Sequence, residues 1–193
     1  MKLKDIKFMF GIATAVMGIE RQQVFAIHPR VDQAIRVLAE NEIQKLNLSW
    51  CKMDDEAVGM LAVGLMRNTT LEVLLLSGNY IGDEGVKMLV AVLNLHPTLR
   101  AIDLSKNRIG NKGAMCLGRA LIINRTLTEL DLSANHIEDV GAKYLADGLR
   151  HNTTLIGFDI SKNNLSNKGL LFIKRAFRHN TILELLIIDR MKH

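Results

Sequence analysis

Hydrophobic positions return along this chain on a period of 28 residues. Leu71, Leu99, Leu127 and Leu155 each open a stretch that reads leucine, two variable residues, an apolar residue, one variable residue, a second apolar residue and serine. The paired apolar positions are Leu74 and Leu76, Ile102 and Leu104, Leu130 and Leu132, and Phe158 and Ile160. Such alternation is the period-two mark of a strand with one buried face. The frame reaches back to Ile43 and forward to Leu183, so it predicts six strands, the last within Leu183 to Ile188.

Between the strands the period becomes helical. Leu61/Leu65, Leu89/Leu93, Leu117/Leu121, Leu145/Leu149 and Ile173/Phe177 recur at i and i+4, on one buried face. Asp55, Asp83, Asn111, Asp139 and Asn167 stand where a side-chain oxygen can cap the first free amides of each helix. Gly85, Gly113, Gly141 and Gly169, two residues later, mark a close approach of helix and neighbouring backbone. Asn79, Asn107, Asn135 and Asn163, with Cys51 in the first repeat, follow the strands by three residues. There an amide side chain can both donate to and accept from a turn's backbone.

Each unit is thus strand, turn, helix and turn, and none can bury its apolar face alone. Stacking them gives an α/β solenoid, a horseshoe with a parallel sheet on the concave side and helices on the convex side. The wording "DLSxNxIxxxG" of Asp103 to Gly113 and Asp131 to Gly141 resembles the ribonuclease-inhibitor-type leucine-rich repeats. That group includes ribonuclease inhibitor, the Ran GTPase-activating protein and the sensor region of NOD-like receptors. The resemblance covers residues 43–193, as five full repeats plus a terminal strand, with residues 1–42 as an N-terminal cap. It implies a binding fold and does not name a partner.

The two ends depart from the repeat. Lys2, Lys4 and Lys7 precede an apolar run from Phe8 to Ile19, and Val24-Phe25-Ala26 resembles a cleavage site; together they outline a secretory signal. Glu20 and Arg21 follow the run directly, which favours a folded cap, and the run is too short to span a bilayer. Pro29 to Glu40 reads as an amphipathic helix with Val31, Ala34, Ile35 and Leu38 on one side, one residue late on the 28-residue frame. At the other end an apolar strand carrying Leu185 and Ile187 is a template for pairing, so the expectation is either self-association with a second copy of the chain or a chain that is part of something longer.

Composition narrows the setting. Two cysteines, Cys51 and Cys116, occupy different repeat positions and read as separate buried thiols, consistent with a reducing, cytoplasmic compartment. The triplets Asn68-Thr69-Thr70, Asn124-Arg125-Thr126 and Asn152-Thr153-Thr154 match the glycosylation pattern, but they share one repeat phase and are explained by turn chemistry. Net charge is +5, with Lys174, Arg175, Arg178 and His179 on the last helix reading as a solvated face. No aromatic interleaving points to nucleic acid.

Candidate binding residues follow from the alternation. The outward strand positions supply Lys45, Asn47, Val73, Leu75, Asp103, Glu129, Asp131 and Asp159, and the turns just beyond supply Trp50, Tyr80, Arg108 and His136. Asp103, Asp131 and Asp159 form either an acidic stripe or the ordinary wording of the repeat, while Trp50 and Tyr80 break the column pattern as aromatic anchors do. The six histidines show no ligand spacing, and no catalytic set, metal or cofactor is expected. The expected function is a non-enzymatic protein-binding module in the cytoplasm. Small stand-alone proteins of this wording also resemble effectors that bacteria such as Legionella deliver into the host-cell cytoplasm. The alternatives are a regulator of small GTPases and a self-associating structural element.

Overall fold

A computed structural model describes residues 29–189 of the chain. The basic and apolar segment of residues 1–28, with its signal-or-cap question, lies outside the described residues. The elements run α1 (Pro29–Glu40), β1 (Lys45–Asn47), α2 (Asp55–Leu65), β2 (Val73–Leu75), α3 (Asp83–Leu93), β3 (Ala101–Asp103), α4 (Asn111–Ile123), β4 (Glu129–Asp131), α5 (Asp139–His151), β5 (Gly157–Asp159), α6 (Asn167–His179) and β6 (Leu185–Ile187).

The six strands form one parallel sheet in chain order. Each residue pairs with its equivalent one repeat on, as in Lys45 with Val73, Ala101 with Glu129 and Gly157 with Leu185. Leu74, Ile102, Leu130 and Phe158 point from the strands into a single core, where they meet Leu61, Leu89, Leu117, Leu145 and Ile173 from the helices. Truncating a fully buried leucine in such a column costs about 2–5 kcal/mol. The amphipathic face of α1 joins the same core, with Val31, Ala34, Ile35 and Leu38 all buried.

Packing alone leaves the turns unsatisfied, and two rows of amide side chains complete them. Asn79, Asn107, Asn135 and Asn163 each accept, through Oδ1, from a backbone amide of the preceding repeat: Met53, Ile81, Ile109 and Ile137, at 3.0–3.1 Å. Their Nδ2 groups donate to Leu48, Leu76, Leu104 and Leu132 carbonyls of the preceding repeat at 2.9–3.0 Å, and to a carbonyl of their own strand. At the head of this row Cys51 Sγ accepts from Arg30 Nη1 at 3.2 Å and faces the Ser49 carbonyl at 3.5 Å.

The second row lies after the helices. Asn68, Asn124, Asn152 and Asn180 accept from the amides of Leu71, Leu127, Leu155 and Leu183 at 2.7–2.8 Å. They donate back to Leu38, Leu93, Leu121 and Leu149 carbonyls at 2.5–2.9 Å. Three of them are the sequon asparagines, and those three are buried inside the turn. The reach is 31 residues except for Asn68 to Leu38, which spans 30; the one-residue slip of α1 is thus written into the hydrogen bonds.

Capping differs from the sequence expectation. Asp55, Asp83, Asn111, Asp139 and Asn167 are the first residues of their own helices. Asp54 caps α2 by accepting from Ala57 N, and Ser166 caps α6 by accepting from Lys168 N. The acidic and amide side chains cap the next helix instead. Asp83 Oδ1 accepts from Gly110 N at 2.7 Å and Gly113 N at 2.8 Å, and Asp55, Asn111 and Asp139 serve the following repeat alike. The expected close approach at the glycines is real, and its cause is this side chain: a Cβ on Gly113 would stand 2.7 Å from Asp83 Oδ1.

His96 occupies the second row in place of asparagine. It is buried, its Nδ1 is 3.5 Å from Thr98 N, and its Nε2 has no partner among the described residues. Burial pushes its pKa below the ordinary 6.5. The folded chain therefore binds fewer protons there than the unfolded chain, and stability falls as pH drops below about 6.5 until the folded-state pKa is passed. Replacing His96 by Asn restores both hydrogen-bonding roles, so His96→Asn should raise unfolding stability by about 1 kcal/mol at neutral pH and flatten the acid dependence; a denaturant titration at pH 7 and pH 5 reads both. In the first row, Asn107→Ala strands Ile81 N and takes one of two donors from each of the Leu76 and Leu104 carbonyls, so it should cost about 1–3 kcal/mol, against a negligible loss if water replaces the amide.

Candidate protein-interaction surface

Alternation sends every second strand residue away from the core, and register stacks those residues into rows. The row at the strand ends reads Asn47, Leu75, Asp103, Asp131, Asp159 and Ile187; the row at the strand starts reads Lys45, Val73, Ala101, Glu129, Gly157 and Leu185. All of these except Asn47 line a concave trough of about 610 Å³. Of the residues predicted from sequence, Lys45, Val73, Leu75, Asp103, Glu129, Asp131 and Asp159 line it. Leu185 and Ile187, expected to serve self-association, line it too, at 57% and 42% exposure. Asn47 is exposed on the first strand, where its Oδ1 accepts from Ser49 N.

The aspartates serve both the turn and the trough. Asp103, Asp131 and Asp159 each accept from the amide of the serine two residues on, at 2.8–2.9 Å, so the recurrent Asp-Leu-Ser wording closes the turn that ends the strand. All three remain half-buried in the trough wall. Burial raises the pKa of Asp131; hydrogen bonds from the Ser133 amide and hydroxyl oppose that, and repulsion by Asp103 and Asp159 adds to it. A charged Asp131 is therefore held at a cost that a neighbouring cation would relieve.

Just beyond the strands the chain turns through left-handed backbone at Trp50, Gly78, Lys106, Ala134 and Lys162, with φ between 53° and 69°. This aims the next side chains outward along a rim. Trp50 is 67% exposed and Tyr80 45%. Lys106 Nζ lies 5.3 Å from the Trp50 ring centre, and Arg108 Cζ lies 4.4 Å from that of Tyr80. Arg108 and His136 are exposed in the same row as Tyr80. The Trp50 ring lies across Gly78, in the next repeat, where a Cβ would come within 2.5 Å of it.

A family model for the leucine-rich repeat matches residues 42–62, 67–90, 96–118, 124–146 and 151–174. The chain belongs to the leucine-rich-repeat family. Among solved structures its repeats superpose on leiomodin-1 actin-binding site 2 with a TM-score of 0.66, at 22% identity, covering 77% of this chain and 87% of that one. The tropomodulin C-terminal domain of Caenorhabditis elegans matches with a TM-score of 0.66 at 17% identity, covering 77% and 92%. At these identities the likeness is one of fold. No curated protein matches the sequence.

Ile156 was missed as a site residue. It is 41% exposed and lines the trough from the position just before β5, where the other repeats carry Glu72, Arg100, Thr128 and Glu184. A lone apolar residue in a polar column was the available signal. Outside the trough, His151 and His179 share a repeat phase because each ring Nδ1 meets the carbonyl four residues earlier, Asp147 and Arg175 O. No group of three or more metal-ligating side chains occurs among the described residues, and no described helix is long and apolar enough to cross a membrane.

The raised pKa of Asp131 gives a signed test. The stabilisation from its protonation is fully present below the ordinary 3.8 and is lost as pH rises through the folded-state pKa, so at neutral pH the ionised group costs stability. Asp131→Asn keeps the Oδ1 acceptor for Ser133 N and removes the charge. Its unfolding midpoint should lie above wild type at pH 7 and converge on it below about pH 3.8; a lower midpoint at pH 7 would contradict the repulsion.

Proposed function

We propose that the chain is a non-enzymatic protein-interaction module that takes a basic segment of a protein partner into the concave trough. The observation that carries this is the row Leu75, Asp103, Asp131, Asp159, Ile187: three half-buried, mutually repelling carboxylates between two apolar ends. Lys or Arg laid along that row relieves the repulsion, and apolar side chains on either side of it meet Leu75 and Ile187. Six strands about 4.8 Å apart give a face about 24 Å wide, enough for a standard contact of about 800 Å² per partner. Cys51 and Cys116 are free thiols, which suits a reducing compartment such as the cytoplasm.

Binding of a synthetic peptide with a Lys/Arg centre and Leu flanks, followed by fluorescence anisotropy, tests the reading. Asp131→Lys with Asp159→Lys should weaken it by at least about tenfold, through lost attraction and new repulsion. Equal binding by wild type and the double variant would sink the trough as the site. Actin, which the leiomodin-1 region binds by its description, is the first natural partner to test in co-sedimentation with the same variants.

A further inference from the structure

The rim carries a charge opposite to the trough it borders. Trp50, Lys106 and Lys162 come three residues after Asn47, Asp103 and Asp159 of the strand-end row, and Tyr80, Arg108 and His136 stand two residues further along in their own repeats. Neither Lys106 nor Arg108 has a carboxylate partner among the described residues. Each is held over an aromatic ring, Lys106 over Trp50 from two repeats away and Arg108 over Tyr80 from the next repeat. A guanidinium stacked by its face keeps its in-plane N–H groups for a carboxylate, and a side chain already confined loses less entropy on binding.

The rim is also built to expose an apolar plane. Trp50 lies across Gly78, one repeat on, and any side chain at that position would collide with the indole. The same turn holds Lys106, Ala134 and Lys162 elsewhere, so the repeat itself does not require glycine there. The result is a fixed, largely exposed indole, a residue type that anchors protein contacts.

We propose that this rim is a second docking surface, which receives an acidic segment of a protein partner, with Trp50 as the apolar platform and Lys106 and Arg108 as the carboxylate-binding groups. Charge complementarity selects the sign. An acidic peptide fits better than single-stranded nucleic acid on two grounds. The aromatic rings are stacked on cations instead of being offered in succession to bases, and the carboxylate row alongside repels a continuous phosphate backbone whereas a peptide can carry both signs. The rim is distinct from the trough, so each can fail without the other.

Trp50 is the single tryptophan of the chain, and its emission reports directly on the rim. The full chain is titrated with a short Glu- and Phe-rich peptide, its Lys- and Phe-rich counterpart, and oligouridylate. The acidic peptide should shift Trp50 emission saturably, and the basic one should not. Lys106→Glu with Arg108→Glu should weaken the acidic peptide by at least about tenfold, and the milder Lys106→Ala with Arg108→Ala, which serves if the reversal disturbs folding, by about threefold or more. Lys174→Glu with Arg178→Glu on α6 controls for net charge and should change affinity by less than about twofold at moderate salt, where distant charges are screened. The proposal is overturned by no response to the acidic peptide, by an equal response to the basic one, by tighter binding of oligouridylate, or by an α6 effect as large as that of the rim.

Discussion

The structure depends on side chains of one repeat satisfying the backbone of another. A strand of three residues followed by a sharp turn leaves amides and carbonyls that the sheet cannot pair, and unpaired groups inside a core cost about 1–3 kcal/mol each. Asparagine resolves this because one planar amide accepts on one side and donates on the other, and here it does so between repeats as well as within one. The helix starts follow the same logic, with Asp83 and its equivalents reaching forward to cap the next helix. Order in each repeat is therefore conditional on its neighbours, as expected of a chain whose units cannot fold alone.

That conditionality fixes the surface as well as the core. Because every strand is in register with the next, outward side chains fall into straight rows, and the identity of a row is decided position by position along the sequence. The aspartates show how a structural duty can place a functional group. The Oδ1 atom that closes the turn holds the carboxylate at a set height in the trough wall, and the spacing of the strands then brings three like charges together. Binding free energy gained by neutralising them is obtained without ordering a loop, since the scaffold has already fixed their positions.

The periodic part of this architecture was legible in the sequence, for the physical reason that alternation and the i, i+4 spacing report which side of an element is buried. Leu74, Leu76, Leu89 and Leu93 declare strand and helix faces without help from distant residues. The caps were misassigned because Asp83 lies beside its own helix in sequence while the amides it serves lie in the following repeat. The second asparagine row was visible only as a turn, since its reach back by 31 residues appears once the repeats are stacked. The trough rows could be written down from the alternation. The pairing of Lys106 with Trp50 and of Arg108 with Tyr80 could not, because side-chain direction after a left-handed turn is set by backbone geometry and not by period.

Departures from the repeat are informative when the repeat explains everything else. Gly78 eases the left-handed turn that other repeats impose on Lys or Ala, and it has a second effect one repeat earlier, in the seat it makes for Trp50. His96 stands in an asparagine row and leaves a buried nitrogen without a hydrogen-bond partner among the described residues. One exception has a compensating contact at the surface and the other has none in the core. The difference separates a position shaped by what it holds from one that merely departs from its row, and it is the reason weight falls on the rim instead of on the buried histidine.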